Sequence, residues 1–158
     1  MKIFRIFMVM MALLPLASCT QNGSKTSDPF EAFAEHFSKS SAFAYTEMSG
    51  RKVLLVSQEV FGNNINTDLE AIEASIFALD EEGKIVALGS IRSQGTLSPV
   101  SVLDGKLMVA GHQFVKVYSM RGDVPELVLD NYQEGEGPKL TEMFRTFEKG
   151  TPIKFERK

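Results

Sequence analysis

The feature that most constrains the fold is Asp104-Gly105, a dipeptide that separates two apolar runs. Asp-Gly in this setting is a strong signal for an antiparallel hairpin with a two-residue turn, because both central residues of that turn adopt positive φ angles. The turn would pair Val102 with Leu107 and Val100 with Val109. The chain is therefore expected to contain an antiparallel sheet.

The segment 68–79 fits two patterns, because some of its apolar residues follow helical spacing and others alternate as in a strand. We favour the strand, since Glu81-Glu82-Gly83 can form a three-residue hairpin loop with Gly83 in the left-handed conformation. That loop would pair Leu79 with Ile85 and Phe77 with Ala87. Apolar runs of strand length predict further strands at Val53–Val60, Lys84–Arg92, Phe114–Met120 and Glu126–Tyr132.

One helix is predicted from Asp28 to about Ser41. Asp28 can cap it, Pro29 suits the first helical position, and Glu31 completes a capping box. Phe30, Phe33, Ala34 and Phe37 form an apolar stripe that would cover one face of the sheet.

The segment 140–148 is again ambiguous. Leu140, Met143, Phe144 and Phe147 have helical spacing, and Gly150 and Pro152 could end a helix. The same stretch could form a hairpin of residues 144–148 with 153–156, and the surrounding strands make us favour the hairpin. We therefore predict an α+β, mainly β fold, in which one small antiparallel sheet of about six to eight strands is packed by one N-terminal helix.

The N-terminus has the order of an export signal. Lys2 and Arg5 precede an apolar run of 11 residues, Ile6 to Leu16. A helix needs about 20 residues to span a bilayer, so this run is too short to be a membrane span and has the length of a signal-peptide core. Leu16-Ala17-Ser18-Cys19 follows directly, and Cys19 is the only cysteine of the chain.

These four residues resemble the lipobox of bacterial lipoproteins. The resemblance implies that residues 1–18 are removed as a signal peptide and that Cys19 is acylated and anchors the protein in a membrane of the cell envelope, on the periplasmic face or the outer surface. The polar residues that follow read as a tether, so that 19–27 would be the lipidated cysteine and its linker. Residues 28–158 would then form a single globular domain, a size that suits one hydrophobic core.

Few residues point to chemistry. His36 lies on the polar flank of the predicted helix, whereas His112 lies in Gly111-His112-Gln113, where Gly111 suggests a bulge or bend. Two histidines and one cysteine at these spacings form no recognisable zinc set, so we expect no metal or cofactor. His112 and Gln113 are the candidate ligand residues.

The expected function is therefore a non-enzymatic binding module with a protein or glycan partner. The formal net charge of −3 gives no reason to expect a nucleic-acid binder. Two alternatives remain open, an inhibitor of a hydrolase and a small hydrolase that uses His112.

Overall fold

We describe residues 28–158 of a computed structural model of the chain. This part of the protein folds into two helices and twelve strands: α1 (Pro29–Ala34), β1 (Ala42–Met48), β2 (Arg51–Ser57), β3 (Val60–Phe61), β4 (Glu70–Ala71), β5 (Glu73–Leu79), β6 (Ile85–Arg92), β7 (Ser101–Leu103), β8 (Lys106–Gly111), β9 (Phe114–Arg121), β10 (Glu126–Glu134), α2 (Pro138–Phe147), β11 (Thr151–Pro152) and β12 (Glu156–Arg157).

The strands form three antiparallel sheets. Sheet 1 has the order β12-β1-β2-β5-β6, sheet 2 has the order β10-β9-β8-β7-β11, and β3 pairs with β4 in a small third sheet. The prediction of a mainly β fold with antiparallel pairing is thus confirmed. The prediction of one sheet packed by one N-terminal helix is wrong, because sheets 1 and 2 pack against each other and the longer helix, α2, is C-terminal.

The reason lies in strands that are apolar on both faces. In β2, Val53 and Leu55 belong to the core between the two sheets, whereas the intervening Leu54 packs against α1. In β8, Leu107 faces the core between the sheets and Met108 faces α2. A strand that is buried on both faces needs a layer on each side, and the molecule accordingly stacks α1, sheet 1, sheet 2 and α2 in that order.

The C-terminal segment joins the two sheets along one side. Strand β11 pairs with β7 in sheet 2, and β12 pairs with β1 in sheet 1. Between them Phe155 is fully buried and exchanges two backbone hydrogen bonds with Leu69, at 2.7 and 3.0 Å. The segment therefore ties the two layers together.

On the opposite side, the edge strands β6 and β10 approach each other near Gly89 and Leu127. The pairing of each edge strand is irregular at one point. The register of β6 with β5 shifts between Ile76 and Phe77 of β5, and the register of β10 with β9 shifts between Leu129 and Asn131 of β10. Bulges bend an edge strand and disfavour pairing with another chain.

The two hairpins predicted from turn residues are confirmed. Asp104 and Gly105 have φ angles of 48° and 69°, and Val102 pairs with Leu107. The predicted pairing of Val100 with Val109 is not formed, because β7 begins only at Ser101. Val100 instead donates its N–H to the carbonyl of Ala71 at 2.8 Å.

The strand interpretation of the ambiguous segment 68–79 is also confirmed. Leu79 pairs with Ile85 and Phe77 with Ala87, as predicted. The loop closes through the Asp80 N–H, which donates to the Lys84 carbonyl at 2.9 Å, and Gly83 has a φ of 76°. The segment forms a strand and not a helix because its alternating residues Ala74, Ile76 and Ala78 all face the core between the sheets.

The N-terminal helix begins where it was predicted, with the Asp28 carboxylate accepting the Phe30 N–H at 3.0 Å. It ends at Ala34, however, and not near Ser41. The backbone tightens into three-residue turns there, since the N–H of His36 donates to the carbonyl of Phe33 at 3.1 Å. Strand β1, which starts at Ala42, was not predicted.

The predicted C-terminal hairpin is wrong, because residues 138–147 form helix α2. Pro138 occupies its first turn, where a missing N–H has no cost. Leu140 and Phe147 are buried against Met108 of sheet 2. The segment is therefore helical because its apolar side covers the outer face of sheet 2. Neither helix in residues 28–158 has the length and apolar character needed to cross a membrane.

Candidate functional site

His112 and Gln113 form the two-residue turn between β8 and β9, and both side chains are exposed. The His112 N–H donates to the side-chain carbonyl of Gln94 at 3.0 Å, and the Gln113 carbonyl accepts the Gly135 N–H at 3.0 Å. The turn is thus held by two neighbouring loops. Neither residue lines the groove described below, so the structure does not join these two candidates to it.

The bulge or bend suggested by Gly111 takes the form of the hairpin turn that follows it, and Gly111 itself pairs with Phe114 in a regular ladder. Two side chains pack closely on this glycine. A Cβ atom at this position would lie 2.2 Å from the Phe114 ring and 2.7 Å from the Gln94 side-chain oxygen. The aromatic ring and the loop amide therefore pack directly on the backbone of the hairpin.

A groove lies on the outer face of sheet 2, between α2 and β10. It consists of two adjoining cavities of about 380 and 480 Å³ that share Asn131 and Thr146. Volumes of this size are typical of small-ligand sites. We call it the α2–β10 groove; Lys106 and Asp130 line one end, Asn131 and Thr146 the middle, and Gln133 and Lys139 the other end.

The bulge in β10 is what directs polar side chains into this groove. Leu129 pairs with Tyr118 and Asn131 pairs with Val117, which leaves Asp130 as the extra residue. Two successive side chains, Asp130 and Asn131, therefore line the same cavity, although neighbours in a regular strand face opposite sides. Bulges commonly re-aim side chains in this way next to functional sites.

Asp130 is held in place by three donors. Its carboxylate accepts from Lys106 Nζ at 2.7 Å, from Arg121 Nη2 at 2.7 Å and from Ser119 Oγ at 3.0 Å. These contacts, those of Lys106 first, lower the pKa of the Asp130 carboxyl from 3.8 to about 2. The carboxylate is thus ionised at neutral pH and fixed in orientation.

The floor and the wall of the groove differ in character. Leu103, Met108 and Val117 contribute an apolar floor from sheet 2. On the helix side, Thr146 donates its hydroxyl to the Glu142 carbonyl at 3.1 Å. An apolar floor with a few fixed polar groups is typical of a binding site for a small polar ligand.

The sequence interpretation missed the groove residues. One signal was present: Asp130-Asn131 places two polar residues in succession where the run of β10 should alternate. Such a break is what a bulge produces. Helix α2, which forms the other wall of the groove, could not be identified because residues 140–148 were predicted to form a hairpin.

Within residues 28–158, no group of three or more His, Cys, Asp or Glu side chains converges as a metal site would require. Cys19 and the predicted signal segment lie outside the described residues. No family model, curated protein or solved structure matches the chain. Function must therefore be inferred from the sequence features and the groove.

Proposed function

We propose that the protein is a bacterial envelope lipoprotein, anchored through acyl chains on Cys19, whose folded residues 28–158 act as a non-enzymatic binding module. The order of Lys2 and Arg5, the apolar run Ile6–Leu16 and the lipobox-like residues up to Cys19 carries the anchoring part of the proposal. Each buried CH₂ contributes about 0.8 kcal/mol to membrane affinity, so two or more acyl chains on one cysteine would hold the domain stably.

The binding part of the proposal is supported by the α2–β10 groove. The bulge in β10 directs Asp130 and Asn131 into it, and hydrogen bonds from Ser119 and Lys106 hold the Asp130 carboxylate in place. The groove occupies a face that is already stable through the packing of Leu140 and Phe147 on sheet 2. A recess of this kind suits recognition of a ligand by a tethered domain.

The anchor is tested by metabolic labelling with a fatty acid in a bacterial host that processes lipoproteins. The wild-type chain should incorporate the label, and Cys19→Ala should lose it and remain as the unprocessed precursor. Thr20→Ala, a change one residue beyond the lipobox, is the matched control and should be labelled normally. Equal labelling of Cys19→Ala and the wild type would refute the anchor.

A further inference from the structure

We propose that the α2–β10 groove binds an uncharged oligosaccharide. This inference rests on the binding module proposed above and adds the class of its ligand. Its structural basis is the combination of a lining without excess positive charge, amide groups beside a fixed carboxylate, and an apolar floor in two adjoining cavities.

The charged groups that line the groove carry no excess of positive charge. They comprise two cations, Lys106 and Lys139, and three carboxylates, Asp104, Asp130 and Glu142, while Arg121 bonds Asp130 from outside the lining. Sites for phosphates or acidic peptides carry an excess of Arg and Lys, because the ligand charge must be compensated. A groove without such an excess favours a ligand without net charge.

The polar groups match the hydrogen-bonding needs of sugar hydroxyls, which both donate and accept. The Asn131 amide offers donors and an acceptor, and among the described residues we find no hydrogen bond from its side chain. The Gln133 amide donates to the Glu134 carbonyl at 3.2 Å, which leaves its own oxygen as an acceptor. Lys106 uses one donor on Asp130, so that further donors remain for a ligand.

The apolar floor suits the C–H faces of a sugar ring. Leu103 and Val117, both half-buried, line one cavity, and the half-buried Met143 lines the other. Contact with these side chains removes apolar surface of both partners from water. The ligand would thus be held by hydrogen bonds at its rim and by apolar contact on one face.

A peptide partner fits the same features less well. A peptide that adds a strand would have to use the free edge of β10, where the extra residue Asp130 interrupts the regular ladder. A docked amphipathic helix requires a continuous apolar groove, and this groove is lined along its length by Asp130, Asn131 and Gln133.

The test is isothermal titration calorimetry of the full-length lipidated protein. The protein is purified in a zwitterionic detergent, because the head group of a glycoside detergent would compete. The probes are three uncharged tetrasaccharides, namely tetraacetylchitotetraose, cellotetraose and maltotetraose. At least one should bind, and Asn131→Ala and Gln133→Ala should each weaken that binding by roughly three- to tenfold, as expected when a neutral hydrogen bond to a ligand is lost.

Asn64→Ala is the matched control, since Asn64 is an exposed asparagine that lines a different cleft. It should bind as the wild type does, and all variants should keep the wild-type unfolding midpoint. Three results would overturn the proposal: none of the tetrasaccharides binds, binding is unchanged in both groove variants, or only inorganic phosphate or a glutamate-rich peptide binds. Fatty-acid labelling of the same samples reports on the anchor independently, so failure here is distinguishable from failure of the lipoprotein assignment.

Discussion

The two outer faces of the sandwich use their helices differently. On the α1 face, defined by helix α1 and the outer side of sheet 1, Phe33 lies 5.3 Å from Phe37 and 5.0 Å from Phe77 between ring centroids, with the rings edge to face. On the α2 face, defined by helix α2 and the outer side of sheet 2, apolar contact is confined to one side of the helix and the α2–β10 groove lies beside it.

The difference follows from how each helix is packed. Helix α1 has only six residues, and its stability comes from aromatic packing on Phe43 and Leu54. Helix α2 has ten residues and a buried side of its own, so that its other flank, with Lys139 and Glu142, is free to line a cleft.

Both faces carry a recess: the one on the α1 face, about 400 Å³, is bordered by Phe37, Phe43 and Lys158, and the groove on the α2 face is lined by Asp130, Asn131 and Gln133. The polar side chains that the β10 bulge directs into the second recess distinguish it from the first.

The largest loss in the free energy of unfolding is expected from Phe30→Ala on the α1 face. Phe30 is 1% exposed, and truncation of a buried Phe costs about 3–5 kcal/mol through lost burial and a residual cavity. Met143→Ala, which removes a half-buried side chain from the groove, should cost on the order of 1 kcal/mol. Denaturant unfolding measures both, and equal losses would contradict the contrast between the faces.

A smaller effect is expected at the turn below the groove. Gly105→Val forces a β-branched residue into a φ of 69° and should lower the free energy of unfolding by about 1–3 kcal/mol. Gly105→Asn is the matched control and should lose less, because Asn tolerates the left-handed region. A loss in the valine variant of only a few tenths of a kcal/mol would argue against this hairpin register.

Asp130 should make stability depend on pH. Since its pKa is lowered from 3.8 to about 2 in the folded protein, its contribution is present above the ordinary pKa and is lost as the pH falls towards 2. The difference in unfolding free energy between the wild type and Asp130→Asn should therefore shrink between about pH 4 and pH 2. Ser119→Ala, which removes one donor, should show a weaker dependence. A difference that stays constant over this range would contradict the clamp around Asp130.

Removal of residues 1–27 is expected to change the stability of the folded domain least. All buried clusters that we describe come from residues 28–158. We predict that this fragment is soluble, unfolds cooperatively and gives a circular dichroism spectrum dominated by β structure. A spectrum dominated by helix, or loss of cooperative unfolding, would show that the two faces do not form one independent domain.

Local signals predicted the parts of the fold that depend on local geometry. The Asp104-Gly105 turn and the Gly83 loop each require positive φ angles, and glycine at those positions fixes the register of the neighbouring strands. The start of α1 was predicted for the same reason, because Asp28 and Pro29 act within one turn of the helix.

Features that depend on packing were harder to predict. Residues 140–148 fit both a helix and a hairpin, and only the apolar outer face of β8 decides between them. The groove depends on that helix and on the bulge at Asp130, so its residues could not be grouped from the sequence. His112 was singled out because the neighbouring Gly111 suggested a bulge or bend, and the structure places His112 in a regular two-residue turn.

The central claim is that the α2 face binds ligand and the α1 face does not. Hydrogen–deuterium exchange of the full-length protein, with and without the tetrasaccharide that binds most tightly, tests it most directly. We predict slower exchange in peptides that cover β10 and α2, and unchanged exchange in peptides from residues 29–48. Protection confined to the α1 face, or to the turn at His112 and Gln113, would contradict the account.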